Sequence, residues 1–442
     1  MERTLENPPS TAEPQVRLLV SVLHYDDLLA DRAKVFTLRD DVPAVTLGRA
    51  SSGDAPRLEN PRSLVLPDRW TSERHCALER VGDATVVRDL GSRNGTWVNG
   101  LQVSEHRLAD GDLLEAGHGL FCYRKVPRSL AAVLERAEPF GPTRTCCPEV
   151  AALWHDLARV APGPEPVLLL GETGTGKEIV AQAIHRASGR PGAFRAMDCG
   201  AIAETLFEAT LFGHRKGAFT GAVDGRQGEI ALAHRGTLLL DEVANMSLAA
   251  QASFLRVIED ARVTPVGGTR AEAVDVRWLA ATNADLLQAD TFRQDLLRRL
   301  AGYVARLPPL RRRREDLGVL ASHLLREAGV PRASIAPSAA RALFASDFPG
   351  NARQLRTMLR AAVTLAGEGP IEDRHLPRVE TPGGSLAPPA GPAGAPDRDA
   401  LEAALAAHRG NVVQVARSLG THPRQVYRWI ERLGLSLDRF RV

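Results

Sequence analysis

The stretch Val167-Leu168-Leu169-Leu170-Gly171-Glu172-Thr173-Gly174-Thr175-Gly176-Lys177-Glu178 decides how the centre of the chain folds. Its four leading apolar residues form a run short and bounded enough to be a buried strand. Gly171-x4-Gly176-Lys177 comes next. Glycines let backbone N–H groups turn in on phosphate oxygens, and the lysine adds a point charge at the β/γ end. From Ile179 the apolar residues recur with helical spacing (Ile179, Val180, Ala183, Ile184). The loop therefore sits at a helix N-terminus, where the dipole favours an anion. Gly171, Glu172, Thr173, Gly174, Thr175, Gly176, Lys177 and Glu178 are the expected nucleotide contacts. Glu178 stands where the general motif has a Ser or Thr for the metal.

Working outward, the 442 residues are enough for two to four domains, and 44% hydrophobic with 25% charged residues is ordinary for a soluble globular chain. The opening MERTLENPPSTAEP lacks the apolar core of a secretory signal, and no run approaches membrane-spanning length, so a cytoplasmic location without membrane contact is expected. Five cysteines without metal-site spacing read as reduced thiols. The net charge of +3 is unevenly spread: residues 398–442 hold eight Arg against four acidic residues, leaving −1 for the remainder. The basic end points to nucleic acid.

After the phosphate loop, the acid pair Asp241-Glu242 ends the apolar strand Gly236–Leu240, and Thr282-Asn283 ends another near Val276–Ala280. An acid pair at a strand end suits Mg²⁺ (Asp241) and polarisation of an attacking water (Glu242). Alternating strands and helices predict a parallel sheet with phosphate at the carboxyl ends of its strands. Between the loop and the acid pair lies Gly217-Ala218-Phe219-Thr220-Gly221-Ala222, an apolar tip flanked by glycines. A Phe there suits a partner contact better than a core, the alternative being a mobile loop whose Phe folds back.

This series, over some 230 residues, resembles the AAA+ ATPase domain of the sigma-54-dependent transcriptional activators, also called bacterial enhancer-binding proteins. The resemblance implies ATP and Mg²⁺ as cofactors, ATP hydrolysis coupled to transcription activation, and Gly217–Ala222 as the sigma-54 contact. It places Arg293 and Arg299 as arginine fingers reaching the neighbouring subunit, so that hydrolysis needs self-assembly from dimers to a hexameric ring. Asn283, with Thr282, matches a first sensor and Arg353 a second. Glu178 is usual in that family after the lysine. Asp198 is not usual, since it replaces an Asn that restrains the water-activating Glu. Gln354, Phe348 and Thr210 are further departures, none of which removes a catalytic group.

In the first third, apolar runs of strand length (Arg17–Leu23, Lys34–Leu38, Ala44–Gly48, Ser63–Leu66, His75–Glu79, Thr85–Leu90, Leu120–Tyr123) alternate with turn residues, which predicts an all-β sandwich. Leu47-Gly48-Arg49, Thr71–His75 and Asp89–Gly100 together resemble the forkhead-associated (FHA) domain, an eleven-strand sandwich that binds phosphothreonine peptides through loops at one end. Matching positions imply that Arg49, Ser72 and Arg74 face the phosphate, and that Asn94, with Arg93 as a second candidate, holds the peptide backbone. His75, Gly95 and Asn99 would buttress the loops. Guanidinium groups and a hydroxyl are apt donors for a dianion. The plainer alternative is a docking module whose arginines are simply solvated. The expected ligand is a phosphothreonine-containing protein, such as a Ser/Thr kinase, its substrate or a sister subunit.

At the other end, residues 381–397 hold five Pro and four Gly and read as a linker. Three helices follow, with Asn411 a good N-cap, Gly420 at a short turn and Pro423 in a first turn. Arg409–Gly420 resembles the Fis-type helix-turn-helix DNA-binding domain. Thr421, His422 and Gln425 near the N-terminus of the last helix, Pro423–Leu433, and Arg424 and Arg428 on it, are the candidate DNA contacts, with Arg432 continuing the arginine face. A solvated arginine stripe is the alternative.

The expected fold is multidomain: a disordered start (1–15), an all-β FHA sandwich (16–126), a connector (127–149), an α/β P-loop AAA+ domain with helical lid (150–378), a Pro/Gly linker (379–397) and an all-α helix-turn-helix (398–442). The expected function is a transcriptional regulator in which the FHA domain controls an ATPase ring acting on sigma-54 RNA polymerase from enhancer DNA. The alternatives are a DNA-binding repressor or scaffold that does not engage sigma-54, and an AAA+ remodeller of other proteins. Intact Gly217–Ala222, Asp241-Glu242, Arg293 and Arg299 argue against the first, and the basic C-terminal reader against the second.

Overall fold

A computed structural model describes residues 13–28, 33–51, 55–219, 222–283, 292–377 and 398–408, with single positions between 412 and 440. The chain divides into two compact units, Met1–Leu376 and Pro377–Val442.

Among the described residues the first unit opens with twelve strands: β1 (Gln15–His24), β2 (Lys34–Leu38), β3 (Ala44–Arg49), β4 (Arg57–Asn60), β5 (Ser63–Leu66), β6 (Cys76–Val81), β7 (Ala84–Asp89), β8 (Thr96–Val98), β9 (Leu101–Val103), β10 (Glu105–Leu108), β11 (Leu113–Ala116) and β12 (Gly119–Pro127). They form two six-stranded sheets, β2-β1-β12-β11-β8-β9 and β10-β7-β6-β3-β5-β4. Leu19, Leu47, Leu64, Leu78, Val87, Leu114 and Phe121 fill the space between them. There is one strand more than the resemblance implied. The five strands that the sequence reading passed over (β4 and β8 to β11) have only three or four residues each, too few to display alternation.

Strand β1 departs from the sandwich rule of one wet face. It is buried without interruption from Arg17 to His24. Leu19 points into the sandwich, whereas Val20, Val22 and Leu23 belong to a second core shared with helices much later in the chain. A strand covered on both faces loses the polar alternation, and Arg17-Leu18-Leu19-Val20-Ser21-Val22-Leu23 carries that signature.

Helices α1 (Arg128–Arg136) and α2 (Pro148–Val160) pack on each other and lead into the α/β domain. Its elements are β13 (Val167–Leu170), α3 (Lys177–Ser188), β14 (Phe194–Asp198), α4 (Glu204–Phe212), β15 (Gly213–His214), β16 (Arg226–Gln227), α5 (Glu229–Leu232), β17 (Thr237–Asp241), α6 (Leu248–Asp260), β18 (Arg262–Val263), β19 (Glu272–Ala273), β20 (Arg277–Thr282), α7 (Gln294–Leu300) and β21 (Tyr303–Arg306). The main sheet is wholly parallel, in the order β14-β17-β20-β13-β21. Alternate residues of its central strands feed two different cores. Leu168, Leu170, Leu238 and Leu240 meet Phe207, Phe254 and Leu296, while Val167, Leu169, Leu239 and Leu279 meet Leu157, Val180 and Ile184. Helices on both faces explain why β13 and β17 read as unbroken apolar runs. The outer strands β14 and β21 are of mixed polarity, so no apolar run marks them in the sequence.

A helical lid follows: α8 (Leu317–Glu327), α9 (Pro337–Phe344) and α10 (Asn351–Ala366). It shares one hydrophobic core with β1, in which Val20, Val22, Tyr25 and Leu28 join Leu317, Leu324, Leu343, Phe344 and Phe348. Two main-chain bonds add to the seam, Leu28 N–H to the Ala333 carbonyl and Ile335 N–H to the Tyr25 carbonyl, both 2.8 Å. At Gly318 a Cβ would run into the Val22 carbonyl, so only glycine lets α8 lie this close to β1.

In the second unit, α11 (Arg398–Ala407) places Leu401 and Leu405 in a small core with Val412, Val415, Val426, Trp429 and Ile430. No helix among the described residues is long and apolar enough to cross a membrane.

Candidate functional site

Strand β13 delivers the phosphate loop to the first turn of α3, as its sequence dictates. Gly174 and Gly176 both take positive φ (79° and 100°), the conformation in which successive N–H groups can face one concavity. Gly174 is needed for a second reason, since a Cβ there would strike the Gly350 carbonyl of the lid. The Lys177 ammonium is buried, donates to the Gly171 carbonyl at 3.0 Å and lies 3.7 Å from Glu242. Thr175 is buried too, its hydroxyl donating to the Glu172 carbonyl at 2.8 Å. Glu178 stands exposed in the first turn of α3, accepting from Gln182 at 3.4 Å.

The acid pair sits beside this loop at the carboxyl end of β17. Asp241 accepts the Glu242 N–H at 3.0 Å, and Glu242 takes a left-handed φ of 49°, an uncommon conformation for a residue with a Cβ. The Asn283 N–H approaches the other Glu242 oxygen at 3.4 Å. Lys177 at the start of α3 thus meets Glu242, and Glu242 meets Asn283, from the ends of β17 and β20. Asp198 pairs in register with Asp241, not Glu242, and turns one oxygen to the Gly200 N–H at 2.8 Å. Burial, reinforced by Asp198, Asp241 and Glu242, pushes the Cys199 thiol up to about 12. The hard carboxylate oxygens of Asp241 and Glu242 beside the phosphate loop suit Mg²⁺.

The lid grips the phosphate loop through residues to which the sequence alone assigns no role. Asn351, fully buried, donates to the Thr173 carbonyl at 3.0 Å and to Glu172 at 3.2 Å, and the Ala352 N–H reaches the Gly174 carbonyl at 3.0 Å. Arg311 pairs with Glu172 through both carboxylate oxygens, which holds that carboxyl below its usual range. Arg313 donates to the Thr175 carbonyl at 3.0 Å. Asn351 takes a positive φ of 51°, which turns its side chain back toward the loop. Arg353 begins the same helix and is exposed, its Cβ against Gly174.

Arg293 and Arg299 are exposed and occupied locally. Arg293 pairs with Asp295 at 2.7 Å, holding that carboxyl down to about 2, and Arg299 reaches Glu259 at 3.1 Å. Neither is joined to Gly171–Glu178 among the described contacts. At Gly217–Ala222 the Gly217 N–H closes on the Ala222 carbonyl at 2.8 Å. Phe219 remains 37% exposed with its ring 5.1 Å from that of His214. Thr220 and Gly221 lie outside the described residues.

At the end of the sandwich, Arg49, Ser72, Arg74 and Asn94 come together from three loops. The Arg49 N–H donates to the Ser72 carbonyl at 2.9 Å, and the Ser72 hydroxyl accepts the Arg93 N–H at 3.0 Å. Arg49, Arg74 and Asn94 are exposed. Beneath them His75 is fully buried. Its Nδ1 accepts from the Ser72 N–H at 3.2 Å, so Nε2 must carry the proton donated to the Gly95 carbonyl at 3.1 Å. Burial lowers its pKa, against weaker opposing pulls from Gly95 and two aspartates, which favours this neutral form. Asp89 accepts from the N–H groups of Gly91 and Ser92 and from the hydroxyls of Ser92 and Thr96. Burial opposes the charge of Asp89, but those four bonds outweigh it and keep the carboxyl below its ordinary range. Asn99 ties β8 to β11 through Asp112 and the Leu113 N–H.

Ligand atoms of His24, Asp26 and Asp68 also lie within 4.8 Å of one another. Asp68, however, is committed to Trp70 N–H, Thr71 hydroxyl and His118 N–H, which shape the loop leading to Ser72. Thr421, His422, Arg424, Gln425, Arg428 and Arg432 lie outside the described residues; the buried Val426, Trp429 and Ile430 mark the apolar side of their segment.

Known proteins match in the same order. The sigma-54 interaction domain covers residues 145–305, the FHA domain 45–117, the AAA+ ATPase lid domain 311–386, and the Fis family of bacterial regulatory proteins 397–433. The response regulator protein PilR of Pseudomonas aeruginosa is 42% identical over 246 residues, 54% of this chain and 55% of PilR, so the chain spans about half of that relative. The anaerobic nitric oxide reductase transcription regulator NorR of Aeromonas hydrophila is 33% identical over 458 residues, 93% of this chain and 89% of NorR. Among solved structures, NtrX from Brucella abortus in complex with ATP superimposes with a TM-score of 0.51 at 30% identity, covering 70% of this chain and 72% of NtrX. With a sigma-54 interaction domain, an AAA+ lid and a Fis-type terminus, an FHA sandwich at the front and a relative matched along nearly its whole length, the chain belongs to the sigma-54-dependent transcriptional regulators.

Proposed function

We propose that this chain hydrolyses ATP in a ring of its own copies, remodels the sigma-54 RNA polymerase closed complex through Gly217–Ala222, and is controlled by a phosphothreonine protein bound at its sandwich. The Fis-type end holds it at enhancer DNA through Thr421, His422, Arg424, Gln425 and Arg428. The observation that carries the reading is the convergence of Lys177, Glu242 and Asn283 on one phosphate loop already held by the lid. Lys177 and the loop's N–H groups would bind the β- and γ-phosphates, and Glu242 would take a proton from the attacking water. Asp241 would hold Mg²⁺, which neutralises charge on the phosphates when bound. Arg293 and Arg299 would complete the site from a neighbouring copy, and their exposure leaves them available to one.

Phe219 supports the sigma-54 contact: its ring rests on His214 yet keeps 37% of its surface exposed, which leaves apolar area for a partner. Thr220→Ala should leave ATP turnover intact and abolish binding to sigma-54. Normal sigma-54 binding and promoter activation by this variant would sink the loop's assigned role. The phosphothreonine reading rests on exposed Arg49 and Arg74 set around Ser72 over a rigid His75 and Asp89 base.

A further inference from the structure

Besides the shared core at β1, one guanidinium joins the ATPase lid to the end of the FHA sandwich that carries the peptide loops. Arg341, on lid helix α9, forms a fork with Glu115 of β11: Nε lies 2.9 and 3.0 Å from its two oxygens and Nη2 2.8 Å from one of them. The same guanidinium lies over the Trp97 ring of β8, 4.3 Å from its centre. Trp97 and Glu115 face each other across the β8–β11 ladder, so a single arginine holds one cross-strand pair. Glu115 is 3% exposed, and a buried carboxylate depends heavily on such a partner. Burial, and next the Glu115 charge, keep the neighbouring Tyr25 phenol protonated well above its ordinary range.

Trp97 is the other end of the peptide-binding loop. Its indole N–H donates to the Asn94 carbonyl at 3.2 Å, and the Asn94 amide donates to the Trp70 carbonyl at 2.6 Å. Asn94 therefore stands with its main chain on Trp97 and Trp97 against Arg341. On the lid side, α9 and α10 share a core through Ala340, Leu343, Phe344, Phe348 and Leu355. Helix α10 begins at Asn351, which is bonded to Thr173 and Glu172 of the phosphate loop. Packed contacts thus run without a gap from the peptide loop to the nucleotide loop.

We infer that Arg341 is a positioning residue that couples the two phosphate sites: phosphopeptide at Asn94 and nucleotide at Gly171–Glu178 alter each other's affinity through the Trp97–Arg341–Glu115 contact. This rests on the phosphothreonine reading of the sandwich. A ligand that engages Asn94 shifts or stiffens the loop ending at Trp97, and α9 feels it. Linkage requires the reverse effect to have the same size. Arginine suits the post because its planar fork can bond a carboxylate while its face stacks on indole, which lysine cannot do.

The test uses the full chain, a fluorescent phosphothreonine peptide pool degenerate at flanking positions, and ADP or a non-hydrolysable ATP analogue with Mg²⁺. Peptide affinity is measured with and without nucleotide, and nucleotide affinity with and without the peptide pool. In the wild type both ratios should be equal and about fivefold or more. Arg341→Ala should bring both ratios to one while each ligand still binds alone. Trp97→Phe keeps the stacked ring but lacks the N–H to Asn94, and should reduce the ratios in a protein whose fold is less disturbed. A ratio of one in the wild type, or a ratio unchanged in both variants, overturns the coupling while leaving phosphothreonine binding intact. If the wild type binds no phosphopeptide, or Arg49→Ala binds it equally well, both the coupling and the phosphothreonine reading fall.

Discussion

At the nucleotide cradle the groups proposed to face phosphate come from one stretch, Gly171–Glu178, and much of the work would fall to the main chain. At the tip of the sandwich the proposed groups come from three loops, around Arg49, Ser72 and Asn94, and are side chains. The first arrangement is locally determined but, if Arg293 and Arg299 are its arginine fingers, unfinished, since both are paired with Asp295 and Glu259 of their own neighbourhood. The second is complete within one chain but exists only once the scaffold has formed. His75 and Asp89 hold loops that the sequence keeps far apart. A self-contained site can respond to a single partner molecule. A site that borrows arginines can act only in an assembly. On the proposed function, the chain would carry an input that works alone and an output that does not.

The sharpest way to break that contrast is to ask whether the arginines act across subunits. Lys177→Ala should abolish nucleotide binding and turnover, and Arg293→Ala should lower turnover by about 10³–10⁵ while sparing binding. Mixing the two inactive variants should restore measurable hydrolysis, because each supplies the half that the other lacks. Steady-state phosphate release from a titrated mixture is the measurement; an inert mixture at ring-forming concentrations would put Arg293 to work within its own chain. A smaller effect is expected at the input. Arg49→Ala removes one charge-assisted donor to a phosphate dianion and should weaken phosphothreonine peptide binding by about ten- to a hundredfold. ADP affinity should stay within twofold if the peptide site is self-contained.

Smaller again is the effect on the seam that carries both sites. Gly318→Ala pushes a methyl group toward the Val22 carbonyl and should cost about 1–3 kcal/mol as α8 is displaced. Urea denaturation of the full chain measures it. Gly329→Ala would not serve as a control, because its φ of 71° is strained for alanine. Ala328→Gly, at the C-terminal end of α8, changes the same helix without approaching β1.

What could be read from sequence follows the same division. The loop Gly171–Lys177 and the buried strands β13 and β17 were legible because their determinants are contiguous: positive-φ glycines, a lysine and unbroken apolar runs. The acid pair was legible for the same reason. Arg311, Arg313 and Asn351 were not, although they touch the loop more closely than Arg353 does. Each is one of many polar residues in the lid, and only the turn at Phe348–Asn351, where both named residues have positive φ, aims the asparagine inward. The seam between sandwich and lid was also hidden. The run Leu18–Leu23 looked like one sandwich strand among others, although its unbroken burial was the trace of a second core. In the sandwich, β8 to β11 were too short to register, yet they carry Trp97 and Glu115, on which the contact with Arg341 depends.

The smallest expected effect concerns His75, and it tests whether the input site's rigidity comes from a neutral imidazole. Burial lowers its pKa in the folded chain, whereas the unfolded chain titrates near ~6.5. Above that value both states are neutral and the native contacts of Ser72 and Gly95 are at full strength. As pH falls below it the unfolded chain takes up the proton first, so stability declines. The loss stops growing once pH is below the folded value. The slope cannot exceed that of one proton, about 1.4 kcal/mol per pH unit. His185 is shifted the same way, with burial as its first cause, so total stability against pH cannot isolate one residue. The measurable quantity is the difference between wild type and His75→Gln, whose amide can donate to Gly95 and accept from Ser72 without titrating. Urea midpoints taken from pH 7.5 down to 5 should converge as pH falls. Parallel curves would mean that His75 is protonated at no cost, and that the loops under Arg49 and Asn94 are held by Asp89 instead.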